Sequence, residues 1–537
     1  MQRTALTARR RARELDELAS ESFDLLVVGG GVTGTGVALD AAARGLSVAL
    51  VEARDLAWGT SRWSSKLVHG GLRYLATGDV GVARESARER HVLMTRTAPH
   101  LVRALPQVLP LTPGVGHRQG ITTGIGLGLG DLLRRDAGTP SLVLPAPRLA
   151  RRGEAARLVP ALAREHVHGA WIAHDGQLVD DARLVVALAR TAAGRGAKIL
   201  TRVRATDLRA DGATLQDALT GASLTVQARV VVNATGVWAG TVDPSVRLRP
   251  SRGTHVVVPA ARLGNPTGAL MVPVPGSGSR YVFALPAQLG RVVIGLTDEE
   301  APGAVPDVPV PTRPEIEFLL ATVSGMLDRP LLPDDVVGAF AGLRPLVDSA
   351  GSGDEASADV SRKHLVAVSP STGAVNVLGG KLTTYRAMAE DAVDLAVEHA
   401  GLTAGPCWTT DLPLVGAPPL GASPLVEPVE TPSAARVSTG STGEGGSPLV
   451  ARYGTEAAQV LAAATLPGSA AAVGQGIADA GHLDITRAEI EWAVTHEGAL
   501  DADDVLDRRT RIGLVPADRA AVHDVVQELV AEALARL

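Results

Sequence analysis

A turn near the start of the chain carries three glycines at the spacing of a dinucleotide site: Gly29, Gly31 and Gly34. An apolar run from Asp24 to Val28 precedes them, and an alanine-rich helical pattern follows. The first glycine permits a tight turn, the second lets the backbone approach a pyrophosphate, and the third lets helix and strand pack closely. A second apolar run, Ser47 to Val51, ends at Glu52, where an acid can bind a ribose hydroxyl. This order predicts a strand–turn–helix–strand unit that binds a dinucleotide.

Two further turns, far apart in the sequence, indicate that the dinucleotide is FAD rather than NAD. One lies in the segment Val231 to Gly240, after an apolar strand, and the other is GGKLTTYR, Gly379 to Arg386. A cofactor domain assembled from distant segments suits FAD, whose isoalloxazine must be enclosed far from its adenine. The later turn lacks the first glycine of a Walker A loop, so we interpret it as a helix N-terminus that faces an electron-rich group. The small hydroxyl residues and glycines of GTSRWSSKLVHGG, just after Glu52, favour the same extended cofactor.

The residues predicted to bind the cofactor come from these segments and from the alternating β pattern between Lys198 and Leu208. They are Gly29, Gly31, Gly34, Glu52, Thr60, Ser61, Ser65, His69, Gly71, Val203, Thr235, Gly236, Gly380, Leu382 and Thr383. No metal site is predicted, because His166 and His168 have no suitably spaced third ligand nearby.

The composition excludes several classes of protein. The 52 Lys and Arg against 57 Asp and Glu give a net charge of −5, so no polycationic surface indicates a nucleic-acid partner. The single cysteine, Cys407, excludes disulfide scaffolds and cysteine-ligated iron–sulfur clusters within the chain. No apolar stretch reaches transmembrane length, and no secretory-type apolar run follows the arginines at positions 9–13. A cytoplasmic location is therefore expected, with peripheral contact to the inner face of the cell membrane as an open alternative.

The pattern of elements predicts an α/β fold with three parts. These are a discontinuous Rossmann-like FAD-binding domain, an antiparallel-β substrate-binding domain and a C-terminal all-α domain. The FAD-binding domain is predicted to comprise 21–80, 175–250 and 340–400, and the substrate-binding domain 81–174 and 251–339. Residues 1–20 form an N-terminal extension, for which a solvated helix is expected. The segment 417–448, rich in Pro, Gly, Ser and Thr, is predicted to be a flexible linker or insertion, and 449–537 shows helical periodicity.

A set of motifs that spans nearly the whole chain is similar to that of one enzyme family. It includes GGGVTGTG, SSKLVHGGLRYL, WIAHDGQLVDDARL, VVNATGVW, SRGTHVVVP, AGLRPLVD, SRKH, GGKLTTYR and DDVLDRRTRIGL. On these motifs the sequence resembles the FAD-dependent glycerol-3-phosphate dehydrogenases, quinone-linked enzymes that make dihydroxyacetone phosphate. The resemblance implies FAD as cofactor, sn-glycerol 3-phosphate as substrate and a membrane quinone as electron acceptor. It also implies a substrate site formed by Arg73, Tyr74, His255, Arg344, Arg362 and Lys381.

The residue types of this implied site suit a phosphate monoester dianion that carries a secondary alcohol. Arginine contacts phosphate oxygens bidentately, and lysine adds a point charge. Oxidation at C2 sends a hydride to flavin N5 and needs a base for the hydroxyl proton, a role that the ordinary pKa of a histidine suits and that points to His255. Arg344 and Lys381 are expected to stabilise the developing alkoxide, and Arg73 and Arg362 to hold the phosphate. Without the resemblance, a histidine in an apolar β run is more often a core residue.

Alternatives stay open at this point. A flavin oxidase of the same substrate would pass electrons to oxygen and yield peroxide, whereas a dinucleotide-binding sensor would lack turnover. The oligomeric state is open too, a homodimer included. The chain departs from the family pattern at Arg62 and Trp63, where the family has a small residue and an arginine. Peripheral membrane association would need an exposed apolar surface, and weak candidates for one lie between Ile121 and Leu133.

Overall fold

The computed structural model describes residues 2–71, 78–112, 117–163, 165, 167–274, 276, 280–347, 363–421 and 447–537. Its strands are β1 Ser22–Val28, β2 Val48–Val51, β3 Leu67–Val68, β4 Val102–Leu111, β5 Arg148–Arg151, β6 Gly169–Leu178, β7 Lys198–Leu200, β8 Val203–Arg209, β9 Gly212–Asp217, β10 Ser223–Asn233, β11 Leu248–Pro259, β12 Ala269–Pro273, β13 Tyr281–Ala287, β14 Arg291–Gly295, β15 Glu299–Glu300, β16 Gly338–Val347, β17 Leu365–Val368 and β18 Val375–Leu378. Its α-helices are α1 Ala8–Ser20, α2 Val32–Ala43, α3 Val80–Val92, α4 His117–Asp136, α5 Arg152–Leu158, α6 Asp181–Gly194, α7 Ala239–Val242, α8 Arg313–Ser324, α9 Tyr385–Ala400, α10 Pro448–Tyr453, α11 Ala457–Ala462, α12 Arg487–Thr495, α13 Ala502–Asp504 and α14 Pro516–Arg536. Arg73, Tyr74 and Arg362 lie outside the described residues, as does most of the predicted linker 417–448.

The first sheet places the glycine turn at the carboxyl end of an inner strand. Its order is β17-β18-β10-β1-β2-β7, and the β8–β9 hairpin joins it through β9 and β10. β1 pairs in parallel with β2 and with β10, so that Val28 lies opposite both Val51 and Asn233. Helix α2 packs against both α6 and α9, and the three helices cover an apolar core on this sheet. Because the carboxyl ends of parallel strands meet at one edge, the residues that follow β1, β2 and β10 converge there.

The second sheet is mainly antiparallel. Its order is β15-β11-β14-β13-β12-β4-β6-β3, with β16 beside β11 and β5 beside β6. β16 pairs with β11 from Leu248↔Val347 to Val257↔Gly338. The sequence assigns 340–400 to the FAD-binding domain, yet most of β16 falls in that range and belongs to this second sheet. β3 and the last residues of β6 differ in the same way. The long register with β11 explains the difference, since pairing partners rather than position in the chain decide which sheet a strand joins.

The helical C-terminal domain is present as the sequence predicts. Together with the two sheets, it confirms the predicted fold class. Its helices are interrupted between α11 and α12, where residues 463–486 form turns around Pro467 and four glycines. Both residue types disfavour helix. The N-terminal helix α1 is held more firmly than the sequence suggests. Arg11 Nε donates to the carbonyl oxygen of Thr201 at 2.8 Å, and its guanidinium pairs with Asp217.

Candidate active site

A cavity of about 780 Å³ is lined by residues of both sheets and of the loops between them. Its walls come from the glycine turn, the segment after Glu52, the loops that follow β10 and β18, and strands β4, β6, β13 and β16. The cofactor residues predicted from the sequence line this cavity, except for Gly34 and Gly71. A cavity of this size is typical of a site that encloses a small molecule or cofactor.

The glycine turn is shaped by close backbone packing. Gly29 has a φ of +115°, and a Cβ at this position would lie 2.5 Å from the carbonyl oxygen of Ala234. A Cβ at Gly34 would lie 1.9 Å from the carbonyl oxygen of Gly29, so Gly34 acts in packing behind the turn. Glu52 supports the middle of the turn, since its Oε2 accepts the N–H of Gly30 at 2.6 Å. The N-terminus of α2 thus opens on the cavity, where its partial positive charge suits a pyrophosphate.

The hydroxyl-rich segment after Glu52 is hydrogen-bonded to β16 on one side and to the start of α2 on the other. Thr60 Oγ1 donates to the carbonyl oxygen of Leu343, in β16, at 2.6 Å. Ser61 Oγ accepts the N–H of Val32, the first residue of α2, at 2.9 Å. These hydroxyls therefore position the segment, a role in addition to the cofactor contact that the sequence predicts.

Arg344 lines the cavity from β16, and three acceptors among the described residues hold it there. Its Nη1 donates to Asp298 Oδ1 at 3.0 Å and to Ser251 Oγ at 3.1 Å, and its Nη2 donates to the carbonyl oxygen of Thr297 at 3.0 Å. Ser251 Oγ in turn donates to Asp298 Oδ1 at 2.5 Å. Asp298, which ends the sequence GLTD at residues 295–298, was not among the predicted site residues. Its carboxylate fixes the direction of the guanidinium and balances part of its charge.

Lys381 lines the cavity from the turn after β18. Its Nζ donates to Ser86 Oγ in α3. The turn continues through Leu382–Thr384 into α9, so GGKLTTYR begins a helix, as the sequence predicts. Gly380 has a φ of +77°, and a Cβ there would lie 2.3 Å from Met388 Sδ. The structure therefore brings Lys381 and Arg344 to the same cavity as the glycine turn.

His255 lies behind the cavity wall rather than on it. It is fully buried in β11, and its Nε2 is 2.8 Å from the hydroxyl of Ser65, which does line the cavity. Its ring stacks on Phe340 with 4.7 Å between ring centres. Burial first, and then the charges of Lys66 and Arg344, lower the pKa of His255 to about 3. Ser65 therefore connects His255 Nε2 to the lining of the cavity. Of the histidines in the part of the chain that the structure describes, only His69 lines the cavity.

An aromatic–arginine stack forms another part of the wall. The guanidinium of Arg62 lies 4.7 Å from the ring centre of Trp58 and 4.3 Å from that of Trp63, and both tryptophans are among the residues that line the cavity. Burial first, and then Arg508 and Arg511, lower the pKa of Arg62 to about 9. The departure from the family pattern at Arg62 and Trp63 is the sequence signal for this feature. Stacking of this kind stiffens the segment that carries it.

The residues of the cavity fit FAD. A Cβ at Gly29, Gly30 or Gly34 would lie 2.8 Å or less from another atom, so backbone N–H groups and the start of α2 are what a pyrophosphate would meet. Glu52, at the end of β2, stands where a ribose would bind, and the turn at Gly380 suits the isoalloxazine end. Within the described ranges, no group of three or more His, Cys, Asp or Glu side chains could hold a metal ion.

Comparison with known proteins agrees with this geometry. A family model described as FAD dependent oxidoreductase matches residues 24–386, and one described as the C-terminal domain of alpha-glycerophosphate oxidase matches residues 407–536. Over 526 residues the chain is 54% identical to glycerol-3-phosphate dehydrogenase 1 of Mycobacterium tuberculosis, with 98% of each chain covered.

Solved structures are similar as well. The glycerol-3-phosphate dehydrogenase of Bacillus halodurans, complexed with FAD, is 26% identical with a TM-score of 0.70, and the match covers 99% of this chain and 96% of that one. The L-alpha-glycerophosphate oxidase of Mycoplasma pneumoniae, at 18% identity and a TM-score of 0.55 over 73% of this chain and 99% of that one, is similar in fold alone. The prediction of an FAD-dependent enzyme is thereby confirmed. The chain belongs to the FAD-dependent oxidoreductases and, among them, to the family of the glycerol-3-phosphate dehydrogenases.

Proposed function

We propose that the protein oxidises sn-glycerol 3-phosphate to dihydroxyacetone phosphate with FAD bound in the cavity. The observation that carries the proposal is that Arg344 and Lys381 line the same cavity as the glycine turn and Glu52. Bound FAD supplies the acceptor, flavin N5, for the hydride that leaves C2 of the substrate. The relative with 54% identity over 98% of the chain is named for this activity, which supports the same assignment.

The cations of the chain bind and orient the substrate. Arg344 and Lys381 stabilise the negative charge that develops on the C2 oxygen as its proton leaves. Because Asp298 and the backbone of Thr297 fix the Arg344 guanidinium, little reorganisation is needed when that charge appears. The phosphate is bound by Arg73 and Arg362 together with Tyr74, a part of the proposal that rests on the sequence motifs. With the phosphate and the C2 oxygen bound in this way, the C2 hydroxyl would face Ser65, the residue proposed to take its proton.

The proton of the C2 hydroxyl passes to His255 through Ser65. Ser65 Oγ takes the substrate proton while its own hydrogen moves to His255 Nε2, 2.8 Å away. The low pKa of His255 opposes this transfer, but a phosphate dianion in the cavity counters Lys66 and Arg344, two of its causes. His69 is the second candidate because this residue itself lines the cavity.

Anaerobic addition of sn-glycerol 3-phosphate to the purified flavoprotein tests the proposal. We expect the visible flavin absorbance to bleach, with one dihydroxyacetone phosphate formed per flavin reduced. The mirror-image sn-glycerol 1-phosphate is the matched control and should leave the flavin oxidised. A flavoprotein that stays oxidised with both compounds would contradict the substrate assignment, and a protein that binds no FAD would favour the dinucleotide-binding sensor.

The electron acceptor is a membrane quinone, reached from the inner face of the membrane. Support comes from α4, on which Ile125, Leu129 and Leu132 share one face and are 59%, 46% and 57% exposed. Thr123 and Leu127 of the same helix line the cavity. A helix with its apolar face in the lipid surface would therefore bring a lipid-dissolved quinone beside the cavity. Across the described ranges, no helix is both long and apolar enough to cross a membrane.

Vesicle binding and acceptor assays test this part of the proposal. The double variant Ile125→Glu/Leu129→Glu should no longer sediment with phospholipid vesicles and should reduce vesicle-bound quinone more slowly, with a water-soluble acceptor reduced at the wild-type rate. Leu219→Glu is the matched control, because Leu219 is also a leucine with an exposed side chain, at 56%, but lies on the turn between β9 and β10 of the first sheet. Unchanged sedimentation of the double variant would contradict the lipid contact. One peroxide per substrate in air, with no quinone reduction, would identify an oxidase instead.

A further inference from the structure

We propose that the C-terminal helical domain holds the glycine turn in place through a buried cluster in which Arg508 and Arg509 bind Asp55. These three are positioning residues for FAD. The proposal rests on FAD occupying the cavity described above. It assigns a role to a domain none of whose described residues from 407 onward lines that cavity. Any influence of this domain on the cofactor must therefore pass through residues that touch the cavity wall from behind.

Asp55 is the centre of the cluster. It is fully buried, and its Oδ2 accepts from Arg508 Nε at 2.6 Å and from Arg509 Nη1 at 2.8 Å. Its Oδ1 accepts from Arg509 Nη2 at 2.9 Å. Burial alone would raise the pKa of Asp55, but Arg509 and Arg508 outweigh it and hold that pKa well below the ordinary value. Asp55 is thus a carboxylate anchored by two guanidinium groups of another domain.

The turn that Asp55 begins touches the glycine turn directly. The N–H of Trp58 donates to the carbonyl oxygen of Asp55 at 3.1 Å and closes a short turn. Inside it, the N–H of Ala57 donates to the carbonyl oxygen of Gly30 at 3.0 Å. Gly30 is therefore held on its N–H side by Glu52 and on its carbonyl side by the Asp55 turn. A shift of Asp55 would displace the backbone that faces the pyrophosphate.

A second contact of the same domain supports the other side of Glu52. Arg202 Nη2 binds Asp504 Oδ1 at 2.8 Å and Asp501 Oδ2 at 2.6 Å. The N–H of Arg202 donates to the carbonyl oxygen of Arg54 at 2.7 Å, and the next residue, Val203, lines the cavity. Asp504 also pairs with Arg508, so both contacts belong to one network.

The energetics of buried ion pairs favour positioning over stabilisation. The cost of removing two charges from water offsets most of their attraction, so such pairs add little net stability over apolar residues of the same size. What they provide is direction, because a guanidinium donates its hydrogen bonds to a carboxylate only in a few orientations. In this cluster Arg508 and Arg509 define where Asp55, and with it the 55–58 turn, must lie.

Asp55→Asn tests the proposal, with Glu489→Gln as matched control. Glu489 is also a buried carboxylate bound to an arginine, Arg452 at 2.7 Å, but its side chain bonds to Arg452 and Thr486, both in the C-terminal domain. In Asp55→Asn the dissociation constant of FAD, measured by titrating apoprotein and following flavin fluorescence, should rise about ten- to a hundredfold. At saturating FAD the KM for sn-glycerol 3-phosphate should stay within about twofold of wild type. Glu489→Gln should bind FAD with a dissociation constant within about twofold of wild type, even where it lowers the unfolding temperature of the apoprotein as much as Asp55→Asn does.

The outcomes separate positioning from general stability. The proposal would be overturned if both variants bound FAD more weakly by the same factor and unfolded at equally lowered temperatures. An unchanged FAD affinity in Asp55→Asn would overturn it too. Should Asp55→Asn fail to fold, Arg508→Lys/Arg509→Lys keeps both charges and removes only the forked geometry, and it should show the same loss of FAD affinity. A wild-type protein that binds FAD but is not bleached by substrate would contradict the proposed function and leave this inference standing. A wild-type protein without FAD affinity would overturn both.

Discussion

The substitution His255→Gln should slow anaerobic flavin reduction by on the order of 10²- to 10⁴-fold, the usual contribution of a general base. A glutamine can still hydrogen-bond the hydroxyl of Ser65, which lies 2.8 Å from His255 Nε2, but it cannot hold the proton. The ratio of the wild-type rate of flavin reduction to the His255→Gln rate should stay constant from about pH 6 to about pH 8. Burial, with Lys66 and Arg344, lowers the pKa of His255 to about 3, so the ring is neutral at the start of every turnover in this range. Stopped-flow absorbance measures the rate directly.

The same variant gives an independent readout of burial at acid pH. A histidine with a pKa of about 3 in the folded protein and 6.5 in the unfolded chain costs stability as the pH falls below 6.5, because the unfolded chain binds the proton first. The cost is about 2 kcal/mol at about pH 5 and approaches about 5 kcal/mol near about pH 3. His255→Gln removes this contribution. Its stability should therefore decline less than that of wild type between about pH 7 and about pH 5, measured by denaturant unfolding.

A double-mutant cycle decides whether Ser65 and His255 act on one path. Ser65→Ala should show a loss similar to that of His255→Gln, and the double variant should lose no more than either alone, because one broken step already stops the path. His69→Gln should slow flavin reduction by less than about tenfold. The reasoning is refuted if His255→Gln reduces flavin within about threefold of wild type while His69→Gln shows the larger loss. In that case the base is His69.

Three further substitutions test the cavity walls. Glu52→Ala should raise the dissociation constant of FAD at least about tenfold, because the N–H of Gly30 loses its carboxyl acceptor, and titration of the apoprotein with FAD measures this. Gly34→Ala should purify without flavin absorbance, because its Cβ would lie 1.9 Å from a carbonyl oxygen of the turn; a flavin-replete variant would contradict this account. Asp298→Ala should lower kcat about tenfold or more, because Arg344 loses the carboxylate that orients it, and an unchanged kcat in steady-state assays would show that the orientation is set elsewhere.

The parts of the site that the sequence predicts best are those whose chemistry is local. The glycine turn and Glu52 follow from the order of strand, turn, helix and acid within about thirty residues, and the structure places them on one cavity wall. The turn after Lys381, which leads through Leu382–Thr384 into α9, is local in the same way. Such features depend on backbone geometry that neighbouring residues determine.

The depth of His255 could not be predicted, because it depends on strand register. β11 pairs His255 with Phe340 of β16 and with Gly295 of β14, and these neighbours enclose the ring. Alternation along β11 indicates two faces but not which of them meets the cavity. The cluster around Asp55 was missed for a related reason. Its arginine partners lie more than four hundred residues further along the chain, so no spacing in the sequence joins them.

The distribution of tryptophan makes the cavity visible to spectroscopy. Four of the six tryptophans line the cavity: Trp58, Trp63, Trp171 and Trp238. Oxidised flavin absorbs where indole emits, so energy transfer should quench these four whenever the cofactor is in place. Trp408 and Trp492 do not line the cavity and provide the remaining emission. The chain thus contains its own optical reporter of flavin loading, whose brightness rises as the cofactor leaves and which needs no added dye.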